Sequence, residues 1–268
     1  MISSFIITFR ETLEAALIIG IVLSYLVKIR QTKYNNVIYL GVISGIVASV
    51  VGAWIFITVA GGFTGRVEEI FEGITMLIGA LLLTSMILWM MKQKHVAKEL
   101  ENKVDRELTE AHRFGLFMLV FISVLREGIE TVIFLGAASF ISTENNLLGA
   151  LVGIIIAILL GYAIFVGSMK INLKRFFNIT SVLLILFAAG LVAHGIHEFE
   201  EAKIIPSVIE HVWNINPILN ESGYFGSILK GLFGYNGNPS LVEVLSYIIY
   251  LFLVFVLWKN IDRVHKVI

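Results

Sequence analysis

Residues 114–141 read FGLFMLVFISVLREGIETVIFLGAASFI, and this segment decides the fold. It is long enough to cross a bilayer as a helix, which takes about 20 apolar residues. Yet Arg126, Glu127 and Glu130 sit near its middle. Each charge at such depth costs about 2.5–3.5 kcal/mol even on lenient insertion scales. The helix is therefore expected to turn that face into a bundle interior and to neutralise something there.

Six further segments qualify as spans: 3–27, 37–60, 68–91, 147–169, 176–200 and 241–258. Their length, and the lack of sustained alternation, favours helices over strands. Hydrophobic residues make up 57% of the 268 residues and charged residues 15%, and mean hydropathy is +0.89. A soluble domain has about a quarter of its residues charged. The expected class is thus all-α, a polytopic membrane protein of seven transmembrane helices. Residues 1–28 are read as the first span, retained in the mature protein. They lack a basic leader, and Arg10, Glu11 and Glu14 interrupt their apolar stretch. Zero net charge gives no pointer to nucleic acid. The chain has no cysteine, which removes disulfides, thiolate metal sites and Cys nucleophiles. Any metal site must use carboxylate, imidazole, carbonyl or water, which favours hard or borderline ions.

Lysine and arginine placement sets the orientation. Fifteen lie in the connections after the first, third and fifth spans and in the tail; the other side holds only Arg66, Lys203 and Lys230. The N-terminus is expected outside and the C-terminus in the cytoplasm. The connection 92–113 mixes both charge signs at helical spacing and predicts a solvated or interfacial helix. All three prolines and five glycines fall in 201–240, which reads as an outer loop with a short helix near 208–213. His95, His112, His211 and His265 read as loop or interfacial residues.

The first three spans resemble the next three. Arg10-Glu11-Thr12-Leu13-Glu14 matches Arg126-Glu127-Gly128-Ile129-Glu130, and Gly41, Gly45 and Gly52 match Gly149, Gly153 and Gly161. The offset drifts only from 116 to 105 residues along the repeat. Three helices per unit put the second copy upside down. Inverted repeats are a transporter architecture with the site near mid-depth between them. The expected layout is a first repeat over 1–91, the charged loop 92–113, a second repeat over 114–200, the outer loop 201–240, and a seventh helix with its tail over 241–268. The glycines read as close helix contacts.

Glu11 and Glu14 are three apart and Arg10 and Glu14 four apart, so they share a helix face; Glu127, Glu130 and Arg126 repeat the pattern. Four carboxylates and two guanidinium groups leave a formal charge of −2. An all-oxygen, net-negative site suits a hard di- or trivalent cation, with Arg10 and Arg126 orienting the acids. Interhelical glue and a proton relay are the other readings of these groups.

A second cluster lies at the outer ends of the third and sixth spans. Glu68, Glu69 and Glu72 open one; His194, His197, Glu198 and Glu201 share a face at the end of the other. They read as an outer vestibule that collects metal, or as polar caps, with acids favoured at a helix N-terminus.

Both five-residue motifs resemble the Arg-Glu-Gly-Leu-Glu motif of the high-affinity iron permeases, the oxidase-dependent iron transporters of fungi and bacteria. The resemblance covers essentially the whole chain and implies seven spans, an outside N-terminus and a cell-membrane location. It implies an Fe(III) permease fed by a ferroxidase or periplasmic iron-binding protein, with iron as cargo and no cofactor. By position, Glu11, Glu14, Glu127 and Glu130 take the iron-ligand role and Arg10 and Arg126 the arginine positions. Thr12 and Ile129 depart from the motif. Thr12 is expected to tighten local packing or add a hydroxyl, with selectivity in play. A carrier of Fe(II), Mn(II) or Pb(II), a proton-coupled carrier of a small organic ion, and a non-transporting receptor or scaffold are the alternatives. No HExxH motif, no Ser–His pairing at depth and no intramembrane Asp pair points to an enzyme.

Overall fold

Proline occurs only at 206, 217 and 239, so nothing in the long apolar runs removes a helical hydrogen bond. The runs accordingly fold as continuous helices. The computed structural model describes residues 1–92, 96–109, 113–141, 146–165, 173–221 and 223–267. Its helices are α1 (Ile2–Lys28), α2 (Asn35–Ala60), α3 (Arg66–Lys92), α4 (Val96–Thr109), α5 (Arg113–Ile141), α6 (Asn146–Phe165), α7 (Leu173–Glu201), α8 (Tyr224–Phe233) and α9 (Leu241–Val267). No strand occurs among the described residues.

Five helices are long and apolar enough to cross a membrane: α2, α3, α6, α7 and α9. The comparably long α1 and α5 differ in carrying three charged residues each at the two motifs. The faces of α2 and α9 reverse the pattern of a soluble protein. Only 11% of the most apolar stretch of each is buried, and Leu40, Ile43, Val50, Trp54, Phe252 and Phe255 point outward. Exposed apolar surface on this scale requires a nonaqueous surrounding.

The helices pack in a reciprocal pattern. α1 lies on α6, α2 on α5 and α3 on α7, with α1 also against α5 and α9 against α7. Glycines let the backbones approach. A Cβ at Gly41 would lie 3.0 Å from the Phe117 carbonyl oxygen, and one at Gly153 would lie 2.6 Å from that of Phe5. Gly73 and Gly195 face each other: a Cβ on either would come within 2.9–3.1 Å of the other's carbonyl oxygen. Gly149, Gly45 and Gly161 also make close contacts, whereas Gly52 faces open space and is no packing glycine. Apolar side chains of α3, α5 and α7, among them Met76, Leu83, Phe134 and Leu191, form the largest core; a second one joins Leu26, Ile38, Val104 and Val120.

Three boundaries differ from expectation. The helix expected at 208–213 is absent. The Val212 and Ile215 amides instead donate to the carbonyls of Pro239 and Gly237, and the Leu241 amide to Ile209. Those long-range bonds take the groups a helix would use internally. The helix of this region is α8, ended by Gly234 in the left-handed conformation at φ +66°. Gly234 packs directly against Gly190 of α7. Finally, α9 continues through the expected tail to Val267. In the segment 92–113, α4 packs on α1 and α5 with Val104 fully buried. His95, His112, Lys94, Lys170 and the expected end of the fifth span at 169 lie outside the described residues.

Candidate metal site

α1 and α5 pack together with their charged faces toward one another. Arg10 and Glu11 are buried on α1 and Glu127 on α5, each at most 2% exposed. Oxygens of Glu11, Glu14 and Glu127 lie within 4.8 Å of one another, close enough to share one ion. Glu130 is not part of that three-way group.

The arginines are arranged unequally. Arg10 Nε donates to Glu14 Oε1 at 3.0 Å, an i,i+4 pair with the guanidinium fully buried. Arg126 is half exposed; it bonds closely to the adjacent Glu127 and lies 3.7 Å from Glu130. Both oxygens of Glu11, Oε2 of Glu127 and Oε2 of Glu130 are buried and accept no hydrogen bond among the described residues. Buried carboxylates without partners are strongly unfavourable. Lone pairs gathered from two helices with nothing donating to them could serve a hard cation.

The second cluster is organised by α9 more than by α3. Ser240 and Glu243 form a reciprocal cap on α9: the Glu243 amide donates to Ser240 Oγ at 3.1 Å and the Ser240 amide to Glu243 Oε1 at 3.0 Å. Asn236 Nδ2 donates to Glu243 Oε2 at 2.8 Å. His197 stands between Glu243 at 3.0 Å and Glu201 at 3.3 Å. Ser240 Oγ donates to Glu200 Oε2 at 2.6 Å. Atoms of His197, Glu200 and Glu243 lie within 4.8 Å of one another. Of the expected vestibule residues, only His197 belongs to that group. Buried His194 has Nδ1 3.0 Å from the Gly190 carbonyl on its own helix. Glu68 and Glu69 lie in the first turn of α3, where acids complement the helix dipole, and Glu72 follows on the next turn.

The sequence matches the iron permease FTR1 family over residues 1–259. The chain belongs to that family. It is 37% identical to the ferrous iron permease EfeU of Escherichia coli O6:H1 over 258 residues, covering 94% of this chain and 92% of the relative. The EfeU of Shigella sonnei is likewise 37% identical over the same shares. That of Yersinia pestis is 36% identical over 256 residues, covering 94% and 90%. No solved structure matches.

Residues outside the motifs also contribute to both side-chain clusters. Glu200 and Glu243 join the second cluster, and Trp89 and Met90 of α3 touch the arginines. Arg10 Nη2 lies 3.0 Å from Met90 Sδ, and the Arg126 guanidinium stands 5.7 Å from the centre of the Trp89 ring. For Glu243 the Ser-x-x-Glu pattern before an apolar run is a readable signal. Trp89 and Met90 carry none, since their contacts are to residues far away in sequence.

Proposed function

We propose that this chain imports iron across the cell membrane through a site formed by Glu11, Glu14, Glu127 and Glu130. The observation that carries the reading is the pair of unpartnered Glu11 oxygens, buried within reach of Glu14 and Glu127. Family membership supports iron as cargo. The motif resemblance favours Fe(III), delivered by a ferroxidase or periplasmic iron-binding protein. The relatives are named for ferrous iron, so Fe(II) is the second reading.

The architecture in this proposal has seven spans, with α1 and α5 added to the five apolar helices. The N-terminus is outside, and two inverted repeats comprise α1–α3 and α5–α7. The reciprocal packing of α1 on α6 and α2 on α5 supports the repeat reading. Iron is collected at the outer cluster of Glu72, His194, His197, Glu198 and Glu201, with Glu68 and Glu69 at its rim, and passes to the four glutamates. The repeats then shift along their glycine-lined contacts, opening the site to the other side. Arg10 and Arg126 orient the acids and limit repulsion when no ion is bound.

The test is uptake of radioactive iron, supplied as Fe(II) or chelated Fe(III), into proteoliposomes containing wild type, Glu14→Ala or Glu130→Ala. Uptake by wild type that vanishes in both variants, with the proteins inserted and folded, is the expected result. The preferred oxidation state decides whether a ferroxidase is required. Retained uptake in both variants would sink the four-glutamate site. Uptake driven by pH without metal would favour a carrier of small organic ions.

A further inference from the structure

Each motif arginine has a partner on α3 that is not an acid. Met90 Sδ accepts from Arg10 Nη2 at 3.0 Å, and the Trp89 ring faces the Arg126 guanidinium at 5.7 Å. The two residues are consecutive near the end of α3, so their side chains leave the helix about 100° apart. One short stretch of α3 therefore reaches the arginines of both motifs.

The chemistry of these partners is unusual for the purpose. A thioether is a weak acceptor, and an indole face attracts a cation through its quadrupole. Both hold a guanidinium without neutralising it. Meanwhile Arg10 Nη1 donates to nothing among the described residues, and Glu11 and Glu127 Oε2 accept nothing. A spare donor and spare acceptors occupy one buried site and are not joined. Arg10 is held by Glu14 through Nε and by Met90 through Nη2, and half-exposed Arg126 by Glu127, Glu130 and the Trp89 ring.

We propose that Trp89 and Met90 are positioning residues: a two-point anchor that holds Arg10 and Arg126 off Glu11 and the free oxygen of Glu127, keeping those oxygens available to a cation. When α3 moves, the anchor releases, the arginines close onto the carboxylates and the ion is expelled. This rests on the iron-site reading above. The weak partners suit the role, because an anchor must let go within each transport cycle.

The experiment has two arms. In proteoliposomes, Trp89→Leu and Met90→Leu are expected to raise the KM for iron roughly threefold to tenfold, the range of one such contact, with the maximal rate little changed. Trp89→Phe, which keeps an aromatic face, is expected to stay near wild type. Unchanged KM in both Leu variants, or a lowered maximal rate at unchanged KM, would overturn the anchor. The second arm needs no transport. With Trp54, Trp213 and Trp258 replaced by Phe, emission from Trp89 is compared with and without Arg126→Gln. A changed emission supports the contact; identical emission overturns it. Should folded wild type carry no iron, the proposed function falls, and the fluorescence arm still decides the anchor.

Discussion

Ser49 of α2 fills the space that a side chain at Gly128 of the second motif would need. A Cβ built on Gly128 would run into the Ser49 hydroxyl and lie 2.5 Å from its Cβ. Ser49 is held there by donating to the Gly45 carbonyl at 2.8 Å. At the corresponding places of the other motif the chain carries Thr12 and, on α6, fully buried Ala157. If the two motifs are repeats, the larger residue lies on the neighbouring helix in one and within the motif in the other.

Gly128→Ala is therefore expected to overpack the α2–α5 contact and to lower stability by about 1–3 kcal/mol. Adding Ser49→Gly should recover most of the loss. Thermal unfolding in detergent, by fluorescence-detected size exclusion, measures both. If Gly128→Ala melts like wild type, the glycine is kept for some reason other than space.

Glu11→Gln separates charge from shape at the centre of the site. The amide occupies the same volume, and the carboxylate it replaces has no donor among the described residues. The variant should melt no lower than wild type without metal. Wild type should be stabilised by saturating metal, by about 2.7 kcal/mol at one hundred times the dissociation constant. Glu11→Gln should lose that gain. Equal stabilisation of both proteins by Mn(II) or Fe(II) would remove Glu11 from the ligand set.

These residues also mark what a sequence can disclose. Spacing of three and four puts Arg10, Glu11 and Glu14 on one face whatever surrounds them, because helix geometry is local. The apolar runs disclose the helices for the same reason. The region 208–213 misleads because its hydrogen bonds go to 237–241, a partner fixed only by tertiary folding. α8 was readable in part, from Ile228, Leu229 and Leu232 followed by Gly234, but its glycines resemble those of a loop. The contacts of Met90 with Arg10 and of Trp89 with Arg126 span 80 and 37 positions, and no local pattern encodes them.

The cluster around His197 and Glu243 offers a test in which structural and collecting roles move different readouts. Ser240 and Glu243 cap α9, and Glu243 also meets Asn236 and His197. Ser240→Ala should cost about 1 kcal/mol, the usual value of an N-cap. Glu243→Ala should cost more, about 1–3 kcal/mol, since it leaves buried donors without acceptors. His197→Ala removes a cluster member that caps nothing. If His197 collects metal, His197→Ala should raise the KM for iron besides lowering the melting temperature through the lost Glu243 contact, whereas Ser240→Ala should lower the melting temperature at nearly unchanged KM. Parallel uptake and melting measurements on the three variants decide the matter. Were His197→Ala to leave KM unchanged, His197 would be part of the α7–α9 contact and iron would enter without its help.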